Sequence, residues 1–223
     1  MKPGLYIVPF VTLAVILLIR AELLGKRQQR FIFKPAATLL VIAAAGLSLL
    51  DPTPNLIYSV GVLVGLVLSL GGDIALMFDE SDKAFAIGLG LFLLAQITYT
   101  VVFTLLGRFS AWDALSGLLL TAAGIAFYRL LEDKLGKLRG PIIVYMLAIS
   151  VMVNRAVSTL WSPIFHPGQA TMIASGAVLF YMSDVILALN RFWKPCSYSR
   201  ISLALYYGGQ LLIALGASAF GGL

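Results

Sequence analysis

The sequence predicts an all-α protein, a polytopic transmembrane bundle of eight helices forming a single integral membrane domain over residues 1–223. Three observations predict it. Of 223 residues, 60% are hydrophobic and 12% charged, with a mean hydropathy of +0.97, which excludes an ordinary soluble domain and a disordered chain. The apolar residues fall into eight runs, each near the roughly 20 residues that cross hydrocarbon as a helix. The charges collect in the short segments between runs, so the net +6 marks loops rather than a nucleic-acid-binding face. A sheet would leave open edges in lipid, and a barrel would alternate polar and apolar residues, which these runs do not do.

The first run, 4–24, starts like a signal peptide but has no small-x-small cleavage pattern and leads into a charged loop, so a retained span is expected. The second, 35–50, is short, and Lys34 opens it. The third, 55–78, carries Asp73 behind Gly71 and Gly72, which permit close helix approach or serve ordinary small-residue packing. The fourth, 84–106, sets Gln96 and Tyr99 on one face. The fifth, 112–132, begins at Trp112; the sixth, 140–161, holds Tyr145 and Arg155 and ends at Trp161. The seventh, 168–192, contains Tyr181, Ser183, Asp184, Asn190 and Arg191, and the eighth, 200–221, contains Tyr206, Tyr207 and Gln210. Cys196, the single cysteine, has no partner for an intrachain disulfide and no clustered ligands for zinc.

Thirteen of the sixteen Lys and Arg residues fall in or beside the odd-numbered loops, against Lys2 and Arg108 on the other side and Arg155 within a helix. The positive-inside rule then places those loops in the cytoplasm and both termini outside, in a bacterial inner (plasma) membrane. Trp112 and Trp161 fall at the outer interface and Trp193 at the inner one.

Asp73 and Asp184 are the focus. A carboxylate inside a membrane helix costs about 3 kcal/mol on insertion scales, so it is expected to face protein or a wet cavity and to carry function. Both lie in the cytoplasmic halves of helices running from outside to inside, at depths only a few ångströms apart at about 1.5 Å per residue. They are 111 positions apart, each in the third helix of a four-helix half, an arrangement that fits two parallel repeats. Buried acids that merely bond to neighbouring Tyr, Ser or Gln are the plain alternative. Two close carboxyls in a low dielectric do not readily ionise together, so the sharper expectation is one acid and one base at neutral pH.

Lys34 and Arg191, at the cytoplasmic boundary, either set orientation or bind a lipid phosphate; Arg191 follows Asp184 by seven residues, two helical turns, with Asn190 beside it. Arg155 lies deeper and needs a partner. Gln96, Tyr99, Tyr206, Tyr207 and Gln210 line a cavity, orient water or bridge helices, while Tyr145 and Tyr181 are weaker candidates. His166 is the single histidine and lies in the outer loop, so no Ser-His-Asp arrangement is available to Ser183.

The segments FKPAATLL (33–40), GDIALMF (72–78), GAVLFYMSDVILALNRF (176–192) and YYGGQLLIALG (206–216) together resemble the YhhN-like family of eight-helix membrane proteins that includes the lysoplasmalogenases. The chain departs from that pattern at Gln96, where relatives often carry histidine. The resemblance implies hydrolysis of the vinyl-ether bond of lysoplasmalogens, the 1-alkenyl lysophosphatidyl-ethanolamines and -cholines, to a fatty aldehyde and a glycerophospho-base. No cofactor or metal is implied, and the partners are a lysophospholipid substrate and membrane lipid. The residues agree with that chemistry: vinyl-ether hydrolysis needs a proton donor near a carboxylate, the logic of the paired acids of glycosidases. Asp73 and Asp184 are the expected catalytic residues, and Lys34, Gln96, Tyr99, Asn190, Arg191, Tyr207 and Gln210 the expected substrate-binding ones. A lipid carrier or proton-coupled transporter would also use intramembrane acids. An intramembrane aspartyl protease fits less well, because its GxGD and PAL patterns do not occur here.

Overall fold

A computed structural model describes residues 3–51, 54–78, 81–193 and 199–218. Lys2, Lys194, Cys196 and positions 219–221 of the expected eighth helix lie outside the described residues. The described chain forms eight α-helices: α1 Val8–Leu23, α2 Arg27–Leu47, α3 Leu56–Ala75, α4 Asp82–Leu106, α5 Ala111–Leu131, α6 Arg139–Ser158, α7 Pro167–Ala188 and α8 Ser199–Leu215. Seven of these segments are long and apolar enough to cross a membrane, and α8 is shorter.

Local chemistry sets the helix starts. Asn55 and Ser81 accept the amide hydrogens of Tyr58 and Ala84, capping α3 and α4. Asp113 accepts from the amide of Ser110 at the head of α5, and Pro167 opens α7, where its missing N–H is harmless. The expected start of the second helix is corrected. α2 begins at Arg27, not 35, and takes Pro35 into its interior. Arg27–Phe33 includes good helix formers, and Pro35 forfeits one backbone bond near the helix start, so the first two turns survive. Lys34 therefore lies well inside α2 rather than opening it.

The closest packing joins α3 to α4 and α7 to α8; α4 also packs on α6, and α2 on α1, α3 and α8. α5 is peripheral, lying against α6 and burying only Leu131. The α7–α8 contact is glycine against glycine: a Cβ on Gly209 would lie 2.6 Å from the Gly176 carbonyl oxygen. Ser183 and Ser202 reinforce the same contact, each hydroxyl donating to the other's carbonyl oxygen at 2.9 and 3.0 Å.

At one end Trp112 stacks on Trp161 with centroids 6.2 Å apart, and at the basic end the Lys134 ammonium lies 4.2 Å from the Trp193 ring centroid. Arg155 has the partner its depth requires. Asp113 lies 3.3 Å from its guanidinium, Asn154 accepts at 2.8 Å, and the Phe109 ring covers it at 4.3 Å. This knot ties α5 to α6.

Candidate active site

Asp73 sits at the last turn of α3, buried, in a cage built by α2 and α8. Its Oδ2 accepts the hydroxyls of Thr38 at 2.7 Å and Tyr206 at 2.8 Å. The Lys34 ammonium lies 3.3 Å from Oδ1 and donates to the Asp73 carbonyl oxygen at 3.3 Å. Tyr207 donates to the Lys34 carbonyl oxygen at 2.9 Å, which closes the cage between α2 and α8.

Asp184, on α7, has a different setting. The Tyr145 hydroxyl of α6 donates to its Oδ2 at 2.5 Å. No hydrogen bond or ion pair joins Asp184 to Asp73 among the described residues. Aromatic rings stand between their networks: Tyr206 packs edge-on against Phe92 and Phe180 at 5.9 and 5.3 Å.

The remaining polar groups form a seam deeper in the bundle. Tyr99 donates to Gln210 Oε1 and Gln210 Nε2 to Ser69, both at 3.0 Å. Gln96 is fully buried one turn before Tyr99, and its amide closes no hydrogen bond among the described residues. His166 stands at the start of α7, where its backbone N–H donates to Gln169 at 3.1 Å.

Two cavities lie in this region: Asp184 lines the second, and Asp73 lines neither, its partner Lys34 lining the first. The first, about 490 Å³, is lined by Glu22, Arg30, Lys34, Asn190, Arg191 and Ser202 together with apolar side chains. The second is a narrow cleft of about 70 Å³, apolar apart from Tyr145, Tyr181 and Asp184, with walls that include Phe92, Phe127 and Ile149. Leu76, Phe85 and Leu187 belong to both linings, so the charged cavity and the apolar cleft meet between the two acids' helices.

Of the expected substrate-binding residues, Lys34, Asn190 and Arg191 line the charged cavity, whereas Gln96, Tyr99, Tyr207 and Gln210 lie buried between helices. Arg191 does not follow the face of Asp184. The chain from Leu189 to Trp193 winds as a π-turn, which shifts the register, and Arg191 bonds Asp82 at 2.8 Å across the first cavity's rim. Arg30, Thr38 and Glu22 were not expected. Arg30, Lys34 and Thr38 recur every four residues, one face of a helix, a signal hidden by placing the helix start at 35.

The chain matches the YhhN family over residues 29–217. It is 31% identical over 182 residues to a Bos taurus protein named lysoplasmalogenase TMEM86A, covering 80% of this chain and 72% of that one. The Homo sapiens protein of the same name is 30% identical over 188 residues, with the same coverage. The Escherichia coli O157:H7 membrane protein YhhN, named as uncharacterized, is 29% identical over 212 residues, 91% of this chain and 94% of that protein. No solved structure matches the chain.

Proposed function

The chain belongs to the YhhN family, and from that membership and the site's geometry we propose that it hydrolyses the vinyl-ether bond of lysoplasmalogens. The observation that carries the reading is the junction of two unlike cavities, one lined by Asp184 and the other by Lys34, the partner of Asp73. A lysoplasmalogen has one apolar chain and one charged head, with the reactive C=C–O at their boundary. Its phosphate suits Arg30, Lys34 and Arg191, and a head-group ammonium suits Glu22 on the α1 side of the same cavity. The alkenyl chain suits the cleft walled by Phe92, Phe127 and Ile149. The enol ether then falls at Leu76, Phe85 and Leu187, of which Leu187 lies about one turn from Asp184 and Leu76 about one turn from Asp73.

The chemistry proceeds from protonation. A carboxylic acid gives its proton to the β-carbon of the vinyl ether, the π pair becomes the new C–H bond, and the α-carbon and ether oxygen share positive charge. A second, anionic carboxyl stabilises that charge through space in a low-dielectric site. Water adds to the α-carbon and loses a proton, and the hemiacetal collapses to a fatty aldehyde and the glycerol hydroxyl.

Purified protein in detergent is expected to release aldehyde from 1-alkenyl lysophospholipids and none from the 1-acyl analogues, read by coupled aldehyde reduction. Ester cleavage, or lipid transfer between vesicles without aldehyde, would replace this reading with an esterase or a carrier. Arg191→Gln is expected to raise KM roughly two- to fivefold with kcat held, the reach of an ion contact of about 0.5–1 kcal/mol at a partly exposed side chain. An unchanged KM would give Arg191 a structural role, which includes its bond with Asp82.

A further inference from the structure

The two aspartates stand in corresponding places with one exchange between them. Lys34 precedes Asp73 by 39 residues, and Tyr145 precedes Asp184 by 39. The offset between the pairs, 111 residues, is also the separation of Tyr99 and Gln210, which bond to each other across the bundle. Gly65 and Gly176 share this offset and are both buried at close helix contacts. The helix contacts correspond too: α2 with α3 as α6 with α7, α3 with α4 as α7 with α8, and α4 with α6 as α8 with α2.

We propose that the chain is two like four-helix units whose aspartates are made unlike by the group 39 residues upstream: Asp73, on Lys34, is the carboxylate, and Asp184, on Tyr145, is the carboxylic acid that protonates the substrate. The last clause rests on the hydrolase reading; the protonation states do not.

The surroundings carry the assignment. The Lys34 ammonium, a group that can only donate, lies beside one oxygen of Asp73, and the Thr38 and Tyr206 hydroxyls donate to the other, a setting that favours the carboxylate. Asp184 receives one donor, the Tyr145 hydroxyl, and has no Lys, Arg or His within ion-pair distance among the described residues. The titratable groups that share its cleft are Tyr145 from α6 and Tyr181 along α7. α4 and α5 present Leu89, Phe92 and Phe127. An unpaired anion is disfavoured in that apolar cleft, and Lys34 is already committed to Asp73. By donating to Oδ2, Tyr145 leaves the acid proton on Oδ1, so Tyr145 is a positioning residue. After protonating the β-carbon, the Asp184 carboxylate takes the proton that the attacking water releases, which restores the acid.

Infrared difference spectra of the purified protein at neutral pH test this without turnover. Asp184→Asn is expected to remove a protonated-carboxyl C=O band, and Asp73→Asn to leave that band in place while removing a carboxylate band. Tyr145→Phe should shift the C=O band as its hydrogen bond is lost and lower kcat about tenfold with KM held. Tyr145→Lys, which imports the Lys34 environment, should abolish the band and cut aldehyde release roughly 100-fold. A C=O band that disappears with Asp73→Asn and survives Asp184→Asn, or that survives both, overturns the assignment. If the bands behave as expected and no aldehyde is formed by the wild type, the hydrolase reading fails while the acid and carboxylate remain assigned.

Discussion

Asp73→Asn is expected to lower aldehyde release at least about 100-fold, within the range of about 10²–10⁴ seen when a group acting on the transition state is removed. The amide cannot supply the negative charge that faces the oxocarbenium ion, and its NH2 has no bond to make with the Lys34 ammonium, so the Thr38 and Tyr206 hydroxyls must turn to accept it. The substitution also strips Lys34 of its counter-ion. A buried pair that loses one member is destabilised by about 3–5 kcal/mol, and the effect here should fall at the low end, since Lys34 still reaches the charged cavity. Stability and chemistry separate in a double substitution. Replacing Asp73 by Leu and Lys34 by Met removes both charges and should recover the melting temperature but no turnover, because apolar groups replace a buried pair at little cost. Thr38→Val, which deletes one of the donors, should cost about 1 kcal/mol and leave most activity. Full activity in the double variant would make the Lys34–Asp73 pair purely structural and return Asp184 to acting alone.

The bundle was legible because hydrocarbon imposes its length on every span: seven of the expected runs reappear as long apolar helices, and both acids lie inside them. The start of α2 was not. A proline read as a first-turn residue sits about two turns further in, and with it the Arg30–Lys34–Thr38 face went unrecognised. Thr38 carries no signal of its own, since a threonine in an apolar helix more often bonds back to its own backbone, as it also does here toward Lys34. The π-turn at 189–193 likewise has no mark in the residue pattern, and it carries Arg191 away from the face of Asp184. Tyr145 differs from these. Tyrosines are common in apolar helices, so residue type alone ranks it low, yet the 111-residue offset of the aspartates already pairs it with Lys34. Which network each acid joins depends on α2, α6 and α8 meeting α3 and α7, and only the packed helices reveal that.

Gly209→Ala is expected to lower the melting temperature by roughly 2–10 °C, from an overpacking cost of about 1–3 kcal/mol spread over a domain of this size. The methyl would lie 2.6 Å from the carbonyl oxygen of Gly176 and 2.9 Å from the amide nitrogen of Phe180. Both are backbone atoms of α7, so no side chain can rotate away, and α8 must withdraw. α8 brings Tyr206 to Asp73, Tyr207 to the Lys34 carbonyl and Gln210 to Tyr99, so the loss is not confined to packing. Activity should fall more than stability, because a hydroxyl that retreats by an ångström no longer closes a 2.8 Å bond. The expected control is Gly90→Ala on α4, where an added methyl meets nothing within 4 Å and alanine's helix preference stabilises by about 0.5–1 kcal/mol. Thermal unfolding in detergent, with aldehyde release measured on the same samples, separates the two sites. Equal melting temperatures for Gly209→Ala and wild type would mean that α8 can shift without loss, and that the cage around Asp73 is not held in place by the glycine contact.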